Sequence, residues 1–149
     1  MKYHDALRYL YGLVDFEKRR IERYTPEEFR LDRVENFLER LGNPHRDYPK
    51  IHVAGTKGKG SVSAMLASVV HASGKKVGLY TSPHLHTYRE RIQVNGEPIS
   101  RRAMAALVAE AQPLIAEFPH IPIFEVSPAL AFRYFASQNV DLAVIDVGL

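Results

Sequence analysis

Ile51-His52-Val53-Ala54-Gly55-Thr56-Lys57-Gly58-Lys59-Gly60-Ser61 decides the fold of this 149-residue chain. The first four residues form a short, mostly apolar run suited to a buried strand. Gly55, Gly58 and Gly60 then interrupt the regular backbone. From Ser61 onward Val62, Met65, Leu66, Val69 and Val70 recur at helical spacing. Strand, glycine loop and helix in that order make a cradle for phosphate. Glycine turns where other residues cannot and lets backbone approach a ligand. Successive N–H groups then point at an anion, reinforced by the positive end of the helix that follows. Lys59 adds a full charge for phosphate oxygens, and Ser61 a hydroxyl for Mg²⁺. The pattern departs from G-x-x-x-x-G-K-[ST]: position 53 is valine, and Gly60 separates Lys59 from Ser61. The bland counterpart is an ordinary glycine-rich turn in a βα unit.

On either side of this stretch, hydrophobic spacing sets the remaining elements. Tyr3, Ala6, Leu7, Leu10, Tyr11 and Val14 predict an amphipathic helix over 3–18, with Lys18, Arg19 and Arg20 at its C-terminus. Thr25-Pro26-Glu27-Glu28 is a helix start, Phe29, Val34, Phe37, Leu38 and Leu41 its apolar face, and Gly42 and Pro44 its end. The helix after the loop stops at Ser73-Gly74, and 76–82 reads as a second strand. Two strands joined by a helix make a parallel unit, whose ligands gather beyond the strands' carboxyl ends. Thr81, Ser82, Pro83 and His84 are therefore expected beside the glycine loop. Glu90 to Val94 alternates and Asn95-Gly96 is a turn signal, predicting a small hairpin or irregular extension. Ser100 caps a helix carrying Met104, Leu107, Val108, Ala111, Leu114 and Ile115, which Pro113 is expected to kink or divide. A further helix runs through Phe124, Val126, Leu130, Ala131, Tyr134 and Phe135, and 141–147 is a buried strand.

Composition bounds the function. The chain's length favours one domain. Hydrophobic residues make up 46% and charged residues 25%, as in a globular protein. The net charge of +3 suits a small anionic ligand and is too weak to argue for nucleic acid. Without cysteine there is no disulfide, thiolate metal site or cysteine nucleophile. No apolar run approaches the ~20 residues of a membrane span and no signal peptide is evident, so a cytoplasmic protein is expected.

Several segments in order closely resemble folylpolyglutamate synthase and its bifunctional form with dihydrofolate synthase activity, within the Mur-ligase family. They are His52 to Ser61, Thr81-Ser82-Pro83-His84-Leu85, Arg89-Glu90-Arg91-Ile92, Asn95-Gly96, Ile99-Ser100, Phe124-Glu125-Val126, and Val140 to Leu149. The resemblance implies an α/β, P-loop NTPase-like fold with a mostly parallel sheet flanked by helices. Residues 1–149 would be the N-terminal portion of the ATP-binding domain, with the C-terminal domain absent. It implies an ATP-dependent ligase that joins L-glutamate to dihydropteroate or a reduced folate through an acyl phosphate. ATP and Mg²⁺ are the implied cofactors. Gly55, Thr56, Lys57, Gly58, Lys59, Gly60 and Ser61 would hold the ATP phosphates. Ser82 and Glu125 would join Ser61 on the metal, Arg91 would lie on the substrate side, and His84 would line the folate or phosphate site. Asp146 stands where the family has glutamate, and its role stays open. The bland counterparts are a turn cap for Ser82, a helix-first-turn acid for Glu125, a surface ion pair for Arg91 and a satisfied loop histidine for His84. Lys57 stands where many members have asparagine, and Ser127-Pro128 replaces a threonine pair. The family's Gly-Gly-Arg-Leu-Asp continuation is absent, so the 149 residues alone are expected to be inactive and to self-associate, and the full-length form to be monomeric. A non-catalytic nucleotide-binding module and a Mur-type ligase for a peptidoglycan precursor are the competing readings.

Overall fold

A computed structural model describes residues 1–13 and 31–147. The expectations for Val14, Lys18 to Arg20, and Thr25 to Phe29 lie outside the described residues. The described elements are α1 (Tyr3–Tyr11), α2 (Leu31–Arg40), β1 (Lys50–Val53), α3 (Lys59–Ala72), β2 (Val77–Tyr80), β3 (Ile92–Val94), β4 (Glu97–Pro98), α4 (Arg101–Ile115), α5 (Ile123–Ser137) and β5 (Leu142–Asp146). Short 3-10 turns cover Pro44–Arg46 and Tyr88–Arg91.

The five strands form one sheet in the order β1-β5-β2-β3-β4. β1, β5 and β2 are parallel, and β3 and β4 continue the sheet antiparallel. The mostly parallel α/β architecture expected from the sequence is therefore present. One detail differs: β5 lies between β1 and β2, so the two strands that flank α3 are not neighbours.

Alternation along the strands sorts two cores. Val77, Leu79 and Val144 pack with Ala67 of α3 on one face. Tyr80, Ala143 and Ile145 join α1, α2, α4 and α5 on the other. Gly78 carries no side chain because Phe135 lies against it; a Cβ there would come within 2.8 Å of the ring.

Local signals are realised at several points. Asn95 and Gly96 both adopt positive φ, 53° and 80°, as the turn between β3 and β4 requires. Ser100 Oγ accepts from the Ala103 N–H at 3.0 Å and caps α4. Pro113 does not divide α4, which continues to Ile115. Its missing N–H removes one bond, to the Ala109 carbonyl a turn earlier, and the helix continues past it on the remaining bonds. On α3 the outward side chains Val62, Met65 and Val69 stay exposed, by 43%, 61% and 68%.

Candidate functional site

The glycine loop leaves the carboxyl end of β1 and enters α3 directly. Gly58 is the residue before the helix and has φ 76°, and Gly55 has φ 151°. Both are backbone shapes that favour glycine. The helix begins at Lys59, two residues earlier than the apolar spacing suggests. No side chain caps this end. The first-turn N–H groups therefore keep their donor capacity for a ligand. Lys59 is half-buried, and Thr56, Lys57, Gly58, Gly60 and Ser61 are exposed.

Asp146 ends the strand next to β1 and pairs in register with Val53, the second residue before the loop. It lies on the α3 side of the sheet, since Leu142 and Val144 alternate with Ala143 and Ile145. Its Oδ2 is 3.7 Å from where a Cβ on Gly60 would stand. The carboxylate is 2% exposed, and its Oδ1 has no hydrogen-bond partner among the described residues. Burial pushes its pKa up, and the nearby Lys59 charge works against that. Ser63, one turn into α3, is fully buried and its Oγ is likewise without a partner. Buried polar atoms are rarely left so, and each calls for an explanation. A carboxylate and the Ser61 hydroxyl are hard oxygen donors, which fits Mg²⁺ beside a phosphate. No group of three or more His, Asp or Glu side chains gathers as a metal cluster among the described residues. A cation held here would keep much of its shell from phosphate and water, as Mg²⁺ commonly does.

Ser82 follows β2, two strands from the loop rather than one. It is half-buried and enters a cis peptide bond to Pro83. The segment after it is held by Glu90. That carboxylate accepts from the N–H groups of Leu85 (2.9 Å), His86 (3.2 Å) and Thr87 (2.8 Å). These bonds hold the Glu90 carboxyl below the usual range.

His84 and Arg91, singled out separately in the sequence, meet. Arg91 Nε donates to His84 Nδ1 at 3.0 Å, and the guanidinium lies 5.2 Å from the Tyr88 ring centroid. Arg91 is buried at 9% exposure, so the surface ion pair with Glu90 or Glu97 is not its role. Tyr88 is buried beneath both and hydrogen-bonds Ser127 on α5. Burial drives its phenol well above the ordinary value.

Glu125 lies in the first turn of α5, at the same sheet edge but in the opposite helical layer from the loop. It is buried and paired in a two-pronged bond with Arg33 of α2, Nε to Oε2 at 2.9 Å and Nη2 to Oε1 at 2.5 Å. That bond raises the Arg33 pKa further. Its charge is thus already answered by a cation, and no ion pair or hydrogen bond links it to Ser61 or Ser82 among the described residues. On the loop side, the carboxylate beside Gly60 is that of Asp146. Asp146 ended an apolar run in the sequence, so its position was readable. Arg33 carried no local signal at all.

No family model matches the chain. It is 40% identical over 131 residues to the dihydrofolate synthase/folylpolyglutamate synthase of Mycobacterium tuberculosis, covering 80% of this chain and 27% of that protein. It superposes on the crystal structure of folylpolyglutamate synthase from Thermotoga maritima with a TM-score of 0.85 and 41% identity, over 99% of this chain and 33% of the other. An FPGS–AMPPCP–folate complex matches with a TM-score of 0.86 and 36% identity, over 100% of this chain and 36% of that one.

Proposed function

Because the chain belongs to the folylpolyglutamate synthase and dihydrofolate synthase family, of whose members it spans 17% to 36% in length, we propose that it supplies the phosphate-binding half of an ATP-dependent ligase. That ligase joins L-glutamate to dihydropteroate or a reduced folate. A carboxylate is phosphorylated by ATP, the amine of glutamate attacks the acyl phosphate, and phosphate leaves as the amide forms. Such chemistry asks for charge neutralisation and alignment more than for an acid–base pair.

In this reading Gly55 to Ser61 wrap the phosphates with backbone N–H groups, and Lys59 neutralises their charge. Ser61 and Ser82 offer oxygen to Mg²⁺, and Asp146 takes the carboxylate position that Glu125 held in the sequence reading. Bound Mg²⁺ would offset charge on the phosphoryl oxygens. Glu125 with Arg33 instead fixes the start of α5. His84 and Arg91 present a rigid cationic edge on the folate side, held by Tyr88. We assign the reaction to the cytoplasm, where ATP and reduced folates are available.

The observation that carries the reading is the buried, partnerless Asp146 Oδ1 beside Lys59 and Gly60. Titration of the intact protein with a fluorescent ATP analogue, with and without Mg²⁺, tests it. Asp146→Asn should abolish the gain in affinity that Mg²⁺ brings, whereas Glu125→Gln should retain it. The opposite pattern returns the metal to Glu125. Incorporation of labelled glutamate into a pteroate or folate acceptor, against none into a peptidoglycan precursor, separates this ligase from a Mur-type one. Nucleotide binding with neither activity would leave a binding module.

A further inference from the structure

A second, cationic groove lies at the same edge of the sheet, beyond the His84–Arg91 pair. It has a volume of about 490 Å³ and runs between the starts of α1 and α4. Lys2, Arg101 and Arg102 line it, and all three are exposed. No ion pair joins any of them to an acid among the described residues. The acid nearest by sequence, Asp5, is turned to the Lys2 backbone N–H at 3.3 Å and to Arg8 at 3.9 Å. Arg101 is steadied 5.7 Å over the Tyr3 ring, which keeps its guanidinium from collapsing onto the surface. The floor is narrow and apolar, made by Ala105, Ala106 and Ala109.

Topology joins the groove to the site. The Ile99 N–H donates to the Ile92 carbonyl at 2.8 Å, and Ile92 pairs with Tyr80 at the carboxyl end of β2. α4 therefore starts level with Thr81 and Ser82. Tyr3 Oη lies 3.3 Å from Thr87 Oγ1, in the segment that carries His84 and Arg91.

We propose that this groove holds the γ-linked oligoglutamate tail of a folate substrate or product; the inference rests on the ligase reading above. A tail of this kind is thin, with methylenes and amides along its length and one carboxylate per residue. The alanine floor leaves room for the methylenes without side chains to displace. The three cations match the carboxylates, and two arginines can grip them in pairs. A bulky folded partner would find little apolar area here, and a lone phosphate would not need the floor.

Fluorescence anisotropy of fluorescein-labelled penta-γ-glutamate on the intact protein tests the inference. The peptide should bind, more weakly as salt rises. The Lys2→Gln/Arg102→Gln double variant should weaken it at least tenfold, while Arg102→Lys, which keeps the charge and loses the fork, should weaken it less than the double variant does. Melting temperature and ATP-analogue binding, measured on the same samples, report folding. Absence of peptide binding to the unaltered protein, or equal binding by the double variant, overturns the inference. So does equal competition by α-linked pentaglutamate or a single-stranded oligonucleotide, which would make the groove a general anion surface. Absence of tail binding to the unaltered protein, with its nucleotide binding and ligase activity present, would sink this inference alone. Tail binding without ligase activity would sink the ligase reading alone.

Discussion

A methyl group added at Gly60 would sit 3.7 Å from Asp146 Oδ2, an ordinary contact, in a helical turn that alanine favours. Gly60→Ala should therefore change stability by less than about 1 kcal/mol in urea denaturation, yet weaken ATP-analogue binding by crowding the space between loop and carboxylate. Gly58→Ala asks alanine to adopt φ 76°, and should cost about 1–2 kcal/mol. Gly78→Ala drives a Cβ to 2.8 Å from the Phe135 ring and should cost about 1–3 kcal/mol or more through overpacking. Asp146 offers a test by pH. Its folded pKa is raised by burial, so ionisation opposes folding. The penalty is absent below the unfolded pKa, grows as pH passes from the unfolded to the folded value, and stays in full above it. Asp146→Asn should thus melt higher than the parent protein at pH 7, with the gain vanishing toward acid pH, even though it loses the Mg²⁺ effect. A lower melting temperature at pH 7 would contradict that account.

Among the elements, α2 and α5 are bound by the Arg33–Glu125 pair, whose side chains are 18% and 8% exposed. Removing one partner leaves the other buried and unanswered, which costs more than the pair is worth. Arg33→Met should destabilise the protein by about 3 kcal/mol, and Arg33→Met with Glu125→Leu should recover much of that in a double-mutant cycle. The loop between β2 and β3 depends in the same way on one carboxylate, Glu90, which gathers three backbone N–H groups. Caps and turns of this kind were visible in the sequence where donor and acceptor lie a few residues apart. Ser100 capping α4 and Asn95-Gly96 closing the β3–β4 turn are examples. Glu125 was visible too, as a first-turn acid, but its partner lies 92 residues away. Nothing in the spacing around Glu125 announces an arginine from another helix.

For the molecule as a whole, the decisive feature is the insertion of β5 between β1 and β2. Adjacent strands lie about 4.8 Å apart, so the residue beside the glycine loop comes from β5, and Ser82 is one strand further. The same architecture leaves Val62, Met65 and Val69 of α3 exposed together. Apolar side chains grouped on one helix favour association. Sedimentation velocity of the 149-residue chain should show concentration-dependent self-association, reduced by Met65→Ser with Val69→Ser; a monomer at all concentrations would oppose it. The strand, glycine loop and helix around Lys59 could be read directly from residue order, because backbone freedom and hydrophobic period act over a few neighbours. The buried strand at 141–147 and the Ser100 cap of α4 could be read for the same reason. That β5, and with it Asp146, lies next to β1 and its loop was decided by folding alone. Strand order and the Arg33–Glu125 pair are contacts across long separations, and local periodicity carries no record of them.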